Sequence, residues 1–504
     1  MNPKLYQLLV GLFASLGSVL FGYDLGVIGG VLAADSFKNY FNNPTKNEIG
    51  AVVSVFTGGA FFVAAFAGPS GDYFGRRLTI MMGAIIFIFG SALQTGAQNL
   101  GFLYSGRAIA GIGVGFLVMI VPLYQAEISH PTTRGRLTGL QQFMIGNGAI
   151  VAVYCTYGTN KNLGEFDNNV WRIPLGMQMV PAGILALLIL LFPESPRWLL
   201  DHGKSEEALA TLARLHSRGN ANDAFVQAEF QQLTEQIQDE RRNGVSGYKD
   251  LLTNKASLRR LILVTAIQAS VQMMGVVRAM QYFLPDIYAA LNVGTNDALK
   301  YQGIGYAVSI VAQLCTILFI DRIGRRWPMI IGNLACSLCF VVIAAVIARF
   351  FSVSQGTQKS LLWLFIVFNW VFQFAFSFTC GSLSWIIPSE VFDTRTRSKG
   401  VSIGVMVSFA FNTMIGQITA PTIESQGWRY FLLFVICNVT NAIFFWAFLP
   451  ETTRRPLEGM NYLFSSTSWF VPGTKSRSIP SELLERSEEL EAKRAAVRME
   501  DATQ

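Results

Sequence analysis

Charge is what this chain has least of. Asp, Glu, Lys and Arg make up 14% of its 504 residues, where a soluble domain averages about 25%. A chain this long and this poor in charge cannot cover a soluble globule with polar surface, so that class is excluded. Histidine is scarce: His130, His202 and His216 are scattered and make no metal site. The six cysteines all fall in or beside apolar runs. Cys336 and Cys339 have the CxxC spacing of redox and metal motifs, but no second CxxC and no nearby His accompanies them. They read as two small apolar residues of a helix. No Walker motif and no convincing nucleophile–base pair is present, so no enzymatic role and no cofactor are expected. Gly111-x-Gly113-x-Gly115 lies in an apolar run without a preceding strand, so the dinucleotide context fails. The Gly111/Gly115 spacing fits close helix packing instead.

What is abundant is apolar: 51% hydrophobic residues, with 39 Phe and 46 Gly. A transmembrane helix needs about 20 mainly apolar residues. Six candidates run near 8–30, 49–71, 78–97, 103–126, 137–157 and 173–192, and six more near 259–283, 299–320, 328–349, 361–388, 399–421 and 428–449. The first contains Asp24 and is followed by many others, so it reads as a helix and not as a cleaved signal. The chain is expected to be an all-α membrane protein, with twelve transmembrane helices in two six-helix bundles. The N-terminal bundle is placed at 1–192, a polar helical linker at 193–257, the C-terminal bundle at 258–455 and a polar tail at 456–504. Within the tail, Glu482–Met499 looks like an exposed charged helix.

The net charge of +7 comes from basic residues in short loops, a pattern that the positive-inside rule explains without nucleic acid. Arg76/Arg77, Arg134/Arg136, the 193–257 linker, Arg322/Arg325/Arg326, Arg395/Arg397/Lys399 and Arg454/Arg455 share one side. That side is expected to be cytoplasmic, with both termini on it. The halves also repeat. Gly71-Asp72-Tyr73-Phe74-Gly75-Arg76-Arg77 matches Ile320-Asp321-Arg322-Ile323-Gly324-Arg325-Arg326. Glu127 with Arg134 and Arg136 matches Glu390 with Arg395 and Arg397, and Pro193-Glu194-Ser195 matches Pro450-Glu451-Thr452. Parallel six-helix repeats are one transporter plan, with the solute site at the repeat interface. The charges at the basic helix ends, Asp72, Arg76, Arg77, Glu127, Arg136, Asp321, Arg325, Glu390 and Arg397, could pair into a gate that latches the halves. Each partly solvated pair would be worth about 0–1 kcal/mol alone, and more in a network. The plainer reading is that these charges only fix topology. Inside the membrane, an ionisable residue marks a functional site by default, which singles out Asp24 in the first span and Arg107 in the fourth.

In combination, Phe21-Gly22-Tyr23-Asp24, Gly71-Asp72-x-x-Gly75-Arg76-Arg77, Gly106-Arg107, Pro122-Leu123-Tyr124-Gln125-Ala126-Glu127, Pro193-Glu194-Ser195-Pro196-Arg197-Trp198 and Pro450-Glu451-Thr452 resemble the sugar porter family of the major facilitator superfamily over residues 8–462. The resemblance implies two bundles rocking around a central site in the plasma membrane. Asp24 and Arg107 match the proton-coupling pair of its symporters, an Asp beside a cation being able to exchange its proton as hydration changes. A static buried ion pair is the other reading. The resemblance also implies that Phe21, Gln142, Gln272, Tyr282, Trp385 and Asn412 face a sugar. The expected activity is therefore import of a monosaccharide by proton symport, with sugar, protons and lipid as partners and the monomer as the working unit. The alternatives are a facilitative uniporter and a non-transporting sugar receptor.

Three positions depart from the pattern. Tyr73 stands where the family usually has Arg, and Ser309 where it has Asn in the eighth span. In the seventh span the family Asn is replaced by Val277 or Arg278. Arg278 could pair with a carboxylate on the solute, because a guanidinium matches a carboxylate fork. A sugar acid or similar hydroxylated carboxylate would then be the cargo. Otherwise Arg278 faces outer water or Asp286.

Overall fold

The computed structural model describes residues 3–129, 134–164, 166–242, 248–275, 281–392, 396–453, 463–465 and 468–472. Among them there is no strand. The backbone of a spanning segment has no water to bond to, so helices satisfy it internally. The first span is Pro3–Ala14 and Leu16–Ala33, interrupted at Ser15, whose hydroxyl donates to the Leu12 carbonyl at 2.7 Å. The second to fifth are Lys46–Phe74, Arg76–Thr95, Leu100–Ile128 and Arg134–Asn162. The sixth runs through Asn169–Met177, Met179–Leu188 and the 3-10 turn Ile189–Leu191. Four shorter helices, Pro196–Asp201, Ser205–His216, Ala224–Arg242 and Tyr248–Thr253, form the linker. The second half repeats the plan with Lys255–Met273 plus Leu284–Ala290, then Thr295–Ile323 and Arg326–Arg349. The tenth span is Gln355–Phe376, continued through a π-helical turn at Ser377–Gly381 into Ser382–Val391. Arg397–Gln426 and Arg429–Phe448 complete the set of twelve.

Ten of the twelve are apolar and long enough to span by composition. The fifth and seventh are the other two, and both carry glutamines into the interior: Gln141 and Gln142 on one, Gln268 and Gln272 on the other. Helix starts follow local chemistry. Thr45 and Glu48 form a reciprocal capping box on the second span, and the Asn99 side chain accepts from Phe102 N at 2.8 Å on the fourth; each satisfies backbone donors that a helix start leaves open.

Most helices run two to five residues past the ends expected from hydropathy, because their polar end residues still fit the helix. The seventh span is a correction of another kind. Expected to run unbroken over 259–283, it stops at Met273, where Gly275 adopts φ +81°. An α-helix cannot continue through the left-handed region; Gln281 and Tyr282 are π-helical, and the α-helix resumes at Leu284. Arg278 and the tail helix expected at Glu482–Met499 lie outside the described residues.

Each half has its own apolar core. One cluster is drawn from the first half with a few residues of the second, among them Tyr282, Phe283 and Phe409. The other comes mostly from the second half, with Leu251 of the linker and Leu463 and Phe464 after the twelfth span, and includes Cys336, Cys339 and Cys380. Within the first half the helices approach to backbone contact. A Cβ on Gly22 would stand 1.9 Å from the Ile145 carbonyl oxygen of the fifth span, and one on Gly111 would stand 1.9 Å from that of Phe56 on the second. The linker helices pack through a small core of Leu199, Leu200, Ala208 and Ile237.

Gly111→Val is therefore expected to lower the thermal midpoint of the detergent-solubilised protein, by the roughly 1–3 kcal/mol of overpacking or more. Gly58→Val, where nothing lies within 4 Å of an added Cβ, is expected to leave it unchanged. Equal melting of both variants would refute this account of the packing.

Candidate functional site

A cavity lies between the halves, about half-way along the spans. Phe21, Gln142, Gln272, Trp385 and Asn412 line it, as the sequence led one to expect. Their polar groups are bonded to one another. Trp385 Nε1 donates across the cavity to Gln142 Oε1 at 3.0 Å. Gln272 Nε2 donates to Ser408 Oγ at 2.8 Å, and Asn412 Nδ2 donates to Gln272 Oε1 at 3.3 Å. The Phe21 ring meets Phe409 of the other half edge-on at 6.0 Å. The lining also includes Gln268, Gln281 and Gln313, for six carboxamides in all, together with Ser309, Ser377, Ser384 and Ser408. None of the described lining residues is charged. Tyr282 is not among them. It is fully buried where the first span meets the break in the seventh, its carbonyl oxygen 2.6 Å from where a Cβ of Gly29 would be.

Two seams hold the halves together beside the cavity. Between the second and eleventh spans, Ser54 Oγ donates to Gln417 Oε1 at 2.6 Å, Thr57 and Thr413 hydroxyls meet at 2.7 Å, and Ser402 Oγ donates to the Ala64 carbonyl at 2.5 Å. Between the fifth and eighth, Gly146 leaves room for Gln313 Oε1, 2.6 Å from an added Cβ.

Asp24 and Arg107 meet inside the first bundle. Nη1 of Arg107 donates to Asp24 Oδ1, and Nη2 to Oδ2 at 3.3 Å. Both side chains have no exposed surface. Arg107 Nε is held by the Val52 carbonyl at 3.0 Å, and the guanidinium lies 4.3 Å over the Phe56 ring. The pair thus ties the first, second and fourth spans, sealed from water in this conformation. On the first span it sits within a turn of Phe21 and Leu25, which line the cavity.

At the basic end each half builds the same cage. In the first, Arg76 Nε and Nη2 donate to Glu127 at 2.8 and 2.9 Å, Nη1 donates to the Gly71 carbonyl at 2.7 Å, and Asp72 lies 3.1 Å from Nη2. In the second, Arg325 Nη2 donates to Glu390 at 2.9 Å and Nη1 to the Ile320 carbonyl at 3.0 Å. Arg77 and Arg326 reach the carbonyls that end the sixth and twelfth spans, Phe192 O at 2.7 Å and Trp446 O at 2.6 Å, where a cation meets the negative end of the helix dipole. These ion pairs close within each bundle. Of the other gate residues, Arg397 donates to the Phe392 carbonyl at 3.3 Å, and the side chains of Arg136 and Asp321 lie outside those described.

Two residues of the cages went unassigned in the sequence. Glu194 accepts from the backbone N–H groups of Arg76 and Arg77 at 3.1 and 3.2 Å, and Glu451 from those of Arg325 and Arg326 at 2.9 and 3.1 Å. Each carboxylate caps the N-terminus of a span with its charge on the positive end of the helix dipole. Gly75 (φ +91°) and Gly324 (φ +95°) precede those helices. A Cβ on either would fall 2.7–2.8 Å from the carboxylate, so glycine answers two demands at once. The repeated Pro-Glu was the available signal. The caps differ electrostatically. Burial pushes Glu194 above the ordinary carboxyl range despite its N–H bonds. Glu451 is also opposed by burial, but bonds from the Thr453 hydroxyl and the Arg325, Arg326 and Thr453 amides hold it below that range.

Two helical bundles joined by a linker, a polar cavity between them, and a charged cage at one end of each define a membrane transporter of the major facilitator fold. The profile of the family described as "Sugar (and other) transporter" matches residues 10–464. The MFS-type transporter criB of Aspergillus cristatus is 32% identical over 90% of this chain and 92% of its own length. The quinate permease of Emericella nidulans is 32% identical, with 92% and 89% covered, and the high-affinity glucose transporter of Kluyveromyces lactis 28%, with 92% and 86% covered. The solved structure of the proton:xylose symporter XylE bound to 6-bromo-6-deoxy-D-glucose superposes with a TM-score of 0.77 at 23% identity, over 92% of this chain and all of that one. The chain belongs to the sugar porter family of the major facilitator superfamily and is a multi-pass membrane transporter, not an enzyme.

The opposite shifts of the caps give opposite pH terms. A carboxyl lowered on folding stabilises above its ordinary pKa of about 4.3, and that stability is lost as pH falls through the folded value. A raised one stabilises at low pH and loses that contribution as pH rises from the ordinary value to the folded one. Glu451→Gln is thus expected to flatten the loss of thermal stability below about pH 5, whereas Glu194→Gln steepens the loss between about pH 7 and pH 4. Melting curves of both variants in detergent from about pH 7 down to pH 3 check this, and parallel curves would count against it.

Proposed function

We propose that this transporter imports a neutral monosaccharide, a hexose or pentose, by proton symport through alternating access. The observation that carries the reading is the described lining of the cavity, which holds no charged side chain: six carboxamides, four serine hydroxyls and the aromatic faces of Phe21, Tyr306, Phe376 and Trp385. Amides and hydroxyls match a ring of sugar hydroxyls, and aromatic faces match its C–H faces. The Gln142–Trp385 bond spans the site, so a sugar would exchange its hydroxyls for that contact and bond to both halves at once.

Proton coupling rests on Asp24. Protonation would release Arg107 from a pair with no water around it, and an uncompensated buried cation costs several kcal/mol. The spans bridged by Arg107 then have to rearrange, and the first span carries Phe21 and Leu25 with it. The membrane is proposed to be the plasma membrane, with the Arg-rich cages and both termini in the cytoplasm, following the positive-inside rule, and the monomer is proposed as the working unit. The cages serve as hinges that brace each half, and Arg76, Arg325 and their carboxylates can exchange partners across the interface when the carrier faces outward.

A second reading is a hydroxylated carboxylate as cargo, favoured by the 32% identity to a quinate permease; Arg278 would then supply the countercharge.

Uptake of labelled glucose, xylose and quinate into cells lacking their own carriers, at external pH 5 and pH 7.5, separates the readings. The expected outcome is saturable neutral-sugar uptake that is stronger at pH 5, with Asp24→Asn losing accumulation against a gradient. Accumulation that survives Asp24→Asn would refute the coupling role and leave a uniporter or another proton carrier. Quinate uptake alone would move the cargo to the second reading, and no uptake by protein present at the cell surface would favour a receptor. Trp385→Ala is expected to raise KM for the sugar about 10-fold or more, the loss of roughly 1.4 kcal/mol or more. An unchanged KM would remove Trp385 from the site.

A further inference from the structure

A second cavity, of about 620 Å³, opens at the basic end of the first half, away from the solute path. One wall is apolar and turned outward: Phe74, Leu78, Leu190 and Leu191 are exposed by 44, 40, 43 and 73%. On the same spans Phe66 and Leu187 are also exposed. The facing wall comes from the linker helices and carries Lys204 and Arg214 at its rim, with Arg77 lining the same space. Two acids also line it, and both have partners. Glu194 is turned onto the N-terminus of the third span, and Glu207 lies 3.8 Å from Lys204.

We propose that this cavity binds an anionic phospholipid from the leaflet on the basic side. Its acyl chains lie on Leu78, Leu190 and Leu191, and its phosphate sits at Lys204 and Arg214. The layout distinguishes this occupant from a soluble anion, which gains nothing from an apolar wall, and from a zwitterionic lipid, which gains little from two cations. Anionic lipids are concentrated at the cytoplasmic leaflet, where each nearby Lys or Arg is worth about 1 kcal/mol. The cavity reaches Arg77 and Glu194, the hinge of the first half, so an occupant bears directly on the element that has to move during transport.

Trp198 lines the cavity and reports on it. Bromine on an acyl chain quenches tryptophan only at close range. The full-length protein is placed in phosphatidylcholine vesicles containing either brominated phosphatidylserine or an equal fraction of brominated phosphatidylcholine. The Trp198 signal is taken as the difference between the protein and Trp198→Phe. At least twofold stronger quenching by the brominated serine lipid is expected, and Lys204→Gln/Arg214→Gln should abolish that preference. Both of those residues are exposed, and an unchanged melting curve verifies that the double variant is folded. Equal quenching by the two lipids overturns the proposal. So does a preference that persists in the double variant, which would assign it to diffuse surface charge. The readout needs no transported solute, so it stands or falls independently of the sugar and proton assignments.

Discussion

A charge inside a dehydrated interior has to bring its counter-charge with it, and much of this architecture is organised around that constraint. Removing one partner of a buried pair is typically worth 3–5 kcal/mol of destabilisation. Asp24 and Arg107 meet it by a forked contact, a backbone carbonyl and an aromatic face, which together use the guanidinium of Arg107 on three sides. The first, second and fourth spans are held in register by that one cation. Glycine makes the arrangement possible: with Gly111 against Phe56, the helices come close enough for Arg107 to reach the Val52 carbonyl on the second span.

The same requirement is met at the basic end in a wetter setting. Arg76 with Glu127 and Arg325 with Glu390 are the ion pairs, while Glu194 and Glu451 sit on helix N-termini. The duplication of these cages gives both halves the same kind of charged brace. They are not identical. Glu451 is the less buried of the two and its cap gains a bond from the Thr453 hydroxyl at 2.5 Å, and the two carboxyls shift in opposite directions. Between the cages, the cavity bonds several of its polar groups to each other, while Gln281 Oε1, Gln313 Oε1 and Asn412 Oδ1 are left without a partner among the described residues. Such internal bonds are individually modest, about 0.5–1.5 kcal/mol net, so a ligand that replaces them can move the balance between conformations.

Much of this was legible before any coordinates. The apolar runs and the Lys/Arg asymmetry gave the twelve spans and the sidedness expected for them, and the paired motifs pointed to the repeat. Gln142, Gln272, Trp385 and Asn412 came from family resemblance and do line one cavity. Tyr282 came the same way and lies in the neighbouring seal, because the seventh span breaks at Gly275. Residue spacing alone does not reveal that break: Met273–Leu284 is mostly apolar, and the positive φ of Gly275 ends the helix before it. Gln313 was missed because a glutamine in an apolar run carries no sign of which face it occupies. Its role depends on Gly146, more than 150 positions away in the chain.

Composition, periodicity and motif order were enough to decide class, span number and family, because those are set by the bilayer: its thickness fixes helix length and its dielectric forbids unpaired charge. They were also enough to make Asp24 and Arg107 stand out. Which groups pair with which was decided only in three dimensions. The cages closed within each half, where the sequence allowed a latch between halves, and Glu194 and Glu451 became helix caps because the loops after the sixth and twelfth spans return to the starts of the third and ninth. Partner choice depends on distances of a few ångströms between residues far apart in the chain, and one-dimensional spacing does not contain those distances.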